Sequence, residues 1–284
     1  MTRLLVIYTG GTIGMVQGEG GLRPSAGLVE QALAAMAPAG LRVDLQLFDP
    51  LIDSSNIRPQ DWNRMLDQID AFEGEAVIVV HGTDTMAFTG AALSTALAGQ
   101  AKRVVLCGSM LPLGQGGDAE GNLALALGAA CDAAMGHGVW LAFAGKVMPA
   151  AGLVKHDSHQ ADSFRSQPQQ PFAPTLRRFD CARRHAVLSL SPGLPAAALG
   201  AMLGALDGAV LRVYGAGTMM ADAGLHAALA QAMAQGCRLR AVSQCEAGGL
   251  EAGAYAAGQA LWDLGIANGG LETPELALAR LWLS

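Results

Sequence analysis

In the first half of the chain, short runs of apolar and β-branched residues alternate with longer stretches of helical spacing, the pattern of βα units on a parallel sheet. The runs Leu4–Tyr8, Leu41–Phe48, Ala76–His81, Arg103–Cys107 and Gly138–Phe143 predict strands. Between them, Ser25–Met36, Pro59–Phe72, Thr85–Ala98 and Glu120–Met135 predict helices. Two helix starts are marked: Pro59 falls in a first turn, and Thr83-Asp84-Thr85 offers capping oxygens. Three prolines and three glutamines between Ser166 and Pro174 then break the pattern and read as a linker. Beyond it the alternation resumes more weakly, with strands near Ala186–Leu190, Ala209–Val213 and Leu239–Ser243 and helices near Ala221–Gln235 and Pro274–Leu283. The expected organisation is a larger α/β domain over residues 1–166, a linker over 167–185 and a smaller α/β domain over 186–284.

Composition narrows the class. Of 284 residues, 51% are hydrophobic and only 5% aromatic, so Ala, Leu and Val supply most of the core, which suits helices packed closely over a buried sheet. A formal charge of −6, with Lys and Arg scattered, disfavours nucleic acid as a partner. Five cysteines form no CxxC pair and fit no closed disulfide set, which points to a reducing, cytoplasmic compartment. The apolar start at Leu4–Tyr8 is too short for a signal peptide. No apolar stretch, Leu194 to Leu206 included, reaches the roughly 18 to 20 residues of a membrane span.

Ligands of open parallel sheets bind where strands end, and three strand ends here are unusually polar. They read Thr9-Gly10-Gly11-Thr12-Ile13-Gly14, Asp49-Pro50-Leu51-Ile52-Asp53-Ser54-Ser55-Asn56 and His81-Gly82-Thr83-Asp84-Thr85-Met86. Paired glycines allow close backbone approach and leave Thr12 on a turn, the setting a hydroxyl nucleophile needs, although strand-end turns are commonly glycine-rich for no catalytic reason. Thr83 and Asp84 read equally well as a helix cap. A hydroxyl nucleophile also needs a base, and Lys155, in Val154-Lys155-His156-Asp157-Ser158-His159, is one candidate in a chain poor in lysine; a lysine beside an aspartate and desolvated can lose its proton. Taken alone, it reads more simply as a surface charge. P-loop, HExxH and GxSxG motifs are absent. His156, His159 and Asp162 have a ligand-like spacing, but so polar a segment suits solvated side chains better than a metal. The GxGxxA run from Gly114 to Ala119 lacks the acidic partner of a dinucleotide site, so neither metal nor cofactor is expected.

Taken together, TGGTIG, DSS, HGTDTM and the later lysine resemble the bacterial-type L-asparaginase family, and most closely its cytoplasmic (type I) branch. The tyrosine-preceded TGGTIGM, PLIDSSNIRPQDW over 50–62, LRVYGAG and SQCEAGGLEAGAYAAG carry that likeness, which runs from Leu5 to about Leu283. The resemblance implies a larger flavodoxin-like domain, a smaller α/β domain, and a homodimer or homotetramer whose sites are completed across the dimer. It implies hydrolysis of L-asparagine to L-aspartate and ammonia through a β-aspartyl ester on Thr12. Thr83, Asp84 and Lys155 would manage protons and water, with Asp84 also orienting Lys155 and binding the substrate's α-amino group. Asp53, Ser54 and Ser55 would hold the α-amino and α-carboxylate groups, and backbone near Gly82 and Ser109 would line the oxyanion position. Steric fit alone separates glutamine from asparagine by only about 1–3 kcal/mol.

The sequence departs from the family in two places. Leu22 stands where the branch has a tyrosine whose hydroxyl contacts the nucleophile; Glu19, Arg23 or a water would have to replace it, or catalysis would be slow. Glycines 18, 20, 21 and 27 still fit a lid that closes over substrate. The chain also stops at Leu283-Ser284, short of further helical sequence in the branch, which puts in question both the tetramer and a second, allosteric asparagine site around Arg212. Two rival readings share the fold: an amidotransferase subunit delivering ammonia to a partner, and a non-catalytic amino-acid sensor.

Overall fold

The computed structural model describes residues 3–25 and 27–284. The reading of the chain's first two residues, and the part of the predicted Ser25–Met36 helix at Ala26, lie outside the described residues. The chain divides into two compact units, Met1–Ser166 and Gln167–Ser284.

The first unit contains β1 (Arg3–Tyr8), β2 (Met15–Gly18), β3 (Gly21–Pro24), α1 (Leu28–Met36), β4 (Arg42–Leu47), α2 (Pro59–Ala71), β5 (Ala76–Val80), α3 (Met86–Ala96), β6 (Arg103–Cys107), α4 (Ala119–Cys131), β7 (Gly138–Phe143), β8 (Lys146–Pro149), β9 (Leu153–Lys155) and β10 (Phe164–Ser166). Its sheet runs β4-β1-β5-β6-β7-β8, parallel except for β8, so the parallel strands have the doubly wound order of flavodoxin-like folds. Apolar strands are required because both faces are covered. On one face Leu4, Val6, Ile78, Val80 and Val105 pack with Val29 and Leu33 of α1 and Leu123, Ala126 and Leu127 of α4. The alternate residues Leu5, Ile7, Val77, Val79 and Leu106 point to the opposite face and are buried too. Each such side chain contributes about 1.5–3 kcal/mol.

Pro59 does open α2, and the Arg58 N–H donates to the Asp61 carboxylate at 2.9 Å. At α3 the expectation fails: the helix starts at Met86 with no side-chain cap, and the Thr83 and Asp84 side chains point elsewhere. The glycine-rich run after Thr12 is an antiparallel hairpin, β2 on β3, with Gln17 opposite Leu22.

The second unit has β11 (His185–Ser189), α5 (Ala196–Gly204), β12 (Gly208–Val213), α6 (Ala223–Ala234), β13 (Arg238–Ser243), α7 (Gln259–Asp263), β14 (Ala267–Asn268) and α8 (Pro274–Leu283). Its sheet, β11-β12-β13-β14, is wholly parallel over a core that includes Leu199, Leu203, Leu211, Leu225 and Leu229. Residues 167–184 form no regular element; the Thr175 and Leu176 N–H groups both donate to the Leu283 carbonyl at 3.0 Å. Among the described residues no helix is long and apolar enough to cross a membrane.

Candidate active site

The site forms at the carboxyl ends of β4, β1, β5 and β6, around the point where strand order reverses between β1 and β5. Two glycines make it possible. Gly10 and Gly11 have φ of 131° and 104°, and a Cβ on them would lie 2.3 Å from the Ile52 carbonyl oxygen and 2.6 Å from the Gly82 backbone, respectively. Only residues without side chains let the β1 loop press against both neighbouring loops at once. Thr12 follows as the first residue of a 3-10 turn, half-buried.

A second cluster assembles from residues far apart in sequence. Lys155, at the end of β9, donates to Thr83 Oγ1 at 3.0 Å and to Asp84 Oδ1 at 2.8 Å. Its strand is held by antiparallel pairing with β10, where Phe164 lies opposite Lys155 and packs edge-on against Phe143. This is why α3 has no side-chain cap: the would-be capping oxygens are committed to the ammonium group. Thr85 turns the other way and donates to the Ser54 carbonyl at 2.6 Å, tying the β5 loop to the β4 loop.

Behind the loop, His81 is fully buried and has contacts on both ring nitrogens, 2.7 Å to the Gly82 carbonyl and 3.0 Å to Thr89 Oγ1. A carbonyl only accepts, so Nδ1 carries the proton and Nε2 must accept from the Thr89 hydroxyl. That hydroxyl in turn accepts from Trp62 Nε1 at 3.0 Å. The relay runs Trp62 to Thr89 to His81 to Gly82 and fixes the peptide plane on the floor of the site. Desolvation pushes the His81 pKa down to about 4, so the ring is neutral near pH 7.

These loops enclose a cavity of about 200 Å³ lined by Gly11, Thr12, Met15, Asp53, Ser54, Gly82, Thr83, Asp84, Met110, Lys155 and Ser158. Seven of the nine residues singled out in the sequence therefore share one wall. Ser55 lies outside it: it is exposed, and its N–H donates to Asp53 Oδ1 at 2.9 Å. Ser109 is buried with its hydroxyl donating to the Leu111 carbonyl at 2.5 Å. Met15, Met110 and Ser158 were not singled out, although Met110 follows a strand end and Ser158 sits three residues beyond Lys155.

Leu22 lies on β3 and is 43% exposed. Among the described residues, no tyrosine lines the cavity. Tyr8, beneath the Thr12 turn, is buried where a Cβ on Gly14 would collide with its hydroxyl; desolvation, and secondarily Glu30, push its pKa up to about 12. Arg212 on β12 donates to the Gln244 carbonyl at 3.2 Å.

Fold and pocket together define a class: two-unit α/β proteins with a hydroxyl- and carboxylate-lined cavity at the switch point of a flavodoxin-like sheet. The sequence profile described as Asparaginase, N-terminal matches residues 3–184, and that of the Glutaminase/Asparaginase C-terminal domain matches 186–284. The chain belongs to the asparaginase family. It is 29% identical over 305 residues to L-asparaginase 1 of Escherichia coli K12, covering 98% of this chain and 90% of that protein. Its structure is similar to the thermostable L-asparaginase from Thermococcus kodakarensis, with a TM-score of 0.83, 28% identity, and coverage of 99% of this chain and 92% of that one. The same values hold for L-asparaginase I from Vibrio cholerae.

Proposed function

We propose that this chain hydrolyses L-asparagine to L-aspartate and ammonia, with Thr12 as the nucleophile. The observation that carries the reading is the convergence of Thr12 with the Thr83–Asp84–Lys155 cluster in one small polar cavity of a family member. Thr12 Oγ attacks the side-chain amide carbon, the C–N bond breaks, and the hydroxyl proton leaves on ammonia. Water then cleaves the β-aspartyl ester and returns a proton to Thr12. Lys155, bonded to the Thr83 hydroxyl, manages protons and water for this second half, and Asp84 holds the lysine in place.

Asp53 and Ser54, at the β4 end, anchor the substrate's α-amino and α-carboxylate groups, joined by Asp84. Ser55 contributes through its N–H, which orients the Asp53 carboxylate. Backbone at Gly82, held by the His81 relay, faces the oxyanion, with Ser109 shaping the β6 loop behind it. The chemistry resides in the N-terminal domain, and the working unit is a homodimer or homotetramer, as the resemblance implies. Five free cysteines support a cytoplasmic setting. Purified protein incubated with L-asparagine, with L-glutamine and with no amide tests the reading. Asparagine-dependent release of ammonia and aspartate in equal amounts supports it; a protein that binds asparagine without releasing either is a sensor, and the reading fails.

A further inference from the structure

Strand β4 is an edge of its sheet, and its two faces differ. Val43 and Leu45 pack into the cluster that α1 covers, whereas the alternate residues Arg42, Asp44 and Gln46 turn the other way. On that second face α2 packs on β1 and leaves a groove of about 730 Å³ along β4, lined in part by the apolar Leu5, Ala71 and Phe72. It shares no wall residue with the polar cavity. Its volume lies within the roughly 300–1,000 Å³ of sites that hold small organic ligands.

One cation in the wall lacks a counter-charge. Asp44 accepts from Arg3 at 2.7 Å and from Arg42 at 3.2 Å, so those groups neutralise one another. Arg64, on α2, has different company. Among the described residues its partners are the Phe48 ring, with the guanidinium 4.0 Å from the centroid, and the Leu47 carbonyl at 3.4 Å, with no carboxylate among them. An unpaired guanidinium beside apolar side chains suits an anion that carries an apolar body. Gln68, one turn further along α2, has its Oε1 buried without a hydrogen-bond partner, so a shift of the helix at this point breaks no bond to that oxygen. Both Arg64 contacts are made to the end of β4, directly before the loop that carries Asp53 and Ser54.

We propose that this groove is an effector site for an amphipathic monocarboxylate. Arg64 takes the carboxylate in a charge-assisted pair, and the apolar body lies along Leu5, Ala71 and Phe72. To do so the guanidinium leaves the Phe48 ring and the Leu47 carbonyl. The end of β4 then loses its tie to α2, and the loop that follows it loosens. Occupancy therefore raises the KM for asparagine and leaves kcat nearly unchanged, because Thr12, Thr83 and Lys155 belong to other loops. Binding of the carboxylate stands on the groove alone; the effect on KM rests on the proposed role of Asp53 and Ser54 as substrate anchors.

Octanoate is titrated into the purified protein by calorimetry, with octanamide as its uncharged counterpart, and asparagine kinetics are measured with and without octanoate. Arg64→Gln removes the cation, and Ala71→Trp fills the apolar side of the groove. The expected result is one saturable octanoate site per chain, bound about tenfold more weakly by either variant, with octanamide about tenfold weaker on the parent protein. Saturating octanoate raises the parent's KM for asparagine about fivefold. Ala71→Trp keeps the parent's KM when no octanoate is present, whereas Arg64→Gln, lacking the same tie to β4, already shows the raised value. Absence of saturable octanoate binding, or equal binding by the parent and both variants, overturns the site. Binding as expected with an unmoved KM overturns the coupling to the β4 loop. Binding as expected in a protein that turns over no asparagine upholds the groove and removes the asparaginase reading instead.

Discussion

The strand-end loops of the two sheets are both polar and differ in character. After β12 and β13 the polar side chains turn back on their own backbone. Gln244 Nε2 donates to the Leu190 and Arg212 carbonyls at 2.6 and 2.9 Å, and Ser243 Oγ donates to the Gly215 carbonyl at 2.7 Å. After β1, β4 and β5 the glycines bring backbones together instead, and Thr12, Asp53, Ser54, Thr83, Asp84 and Lys155 face a shared cavity. A polar group whose partner is a nearby carbonyl is doing structural work. One that meets other polar side chains around empty space is placed for a ligand. Strand-end polarity alone does not distinguish the two; the destination of each hydrogen bond does.

Substitutions can break that contrast in graded fashion. Lys155→Met should have the largest effect, a loss of about 10²–10⁴-fold in kcat with an unchanged unfolding midpoint, if the lysine handles protons as proposed, since its partners Thr83 and Asp84 lie at the cavity wall rather than in a core cluster. Steady-state kinetics beside a thermal melt reads both. Gly11→Ala drives a Cβ toward backbone 2.6 Å away at a φ of 104°, and is expected to reduce turnover together with stability, the latter by about 2–5 kcal/mol in urea titration. Thr89→Val leaves Trp62 Nε1 and His81 Nε2 buried without their shared partner. It should cost about 3 kcal/mol of stability and a smaller fraction of kcat. On the other sheet, Gln244→Ala should cost about 1–2 kcal/mol and leave kcat on asparagine untouched.

Acidity sharpens the comparison further. His81 has its folded-state pKa depressed to about 4 by burial, and His185 in the second unit is lowered to about 4 chiefly by desolvation, with Arg238 adding to it. A depressed histidine binds its proton more readily unfolded, so its contribution is fully present above the ordinary value near 6.5 and is lost as pH falls through 4. For the fully buried His81 the contribution is on the order of 3 kcal/mol. Unfolding midpoints should therefore decline between pH 6.5 and 4, and the His81 ring should show no NMR titration between pH 8 and 5.

Much of this was legible in the chain. Central strands apolar at nearly every position announce burial on both faces, so β1, β5, β6 and β7 and their parallel sheet were visible in the pattern, while the flavodoxin-like order came only with the family resemblance. The loops that follow them stood out by composition. What no local pattern encodes is pairing at a distance: Thr83 and Asp84 look like caps until β9 brings Lys155 to them across 72 residues of sequence. Helix α5 escaped for another reason. Leu199 and Leu203 are its buried residues, and the other positions are Ala, Gly and Met, so no polar face reveals the period. The hairpin of β2 and β3 was hidden by glycines that read as a loop.

The central claim is that Thr12, at the wall of the polar cavity, forms the covalent bond with substrate. Mixing the protein with L-asparagine, quenching in acid during turnover and mapping the peptides by mass spectrometry tests it directly. The account predicts an aspartyl adduct on the peptide carrying Thr12, absent from Thr12→Ala together with ammonia release. An adduct on any other residue, or undiminished ammonia release by Thr12→Ala, would contradict it.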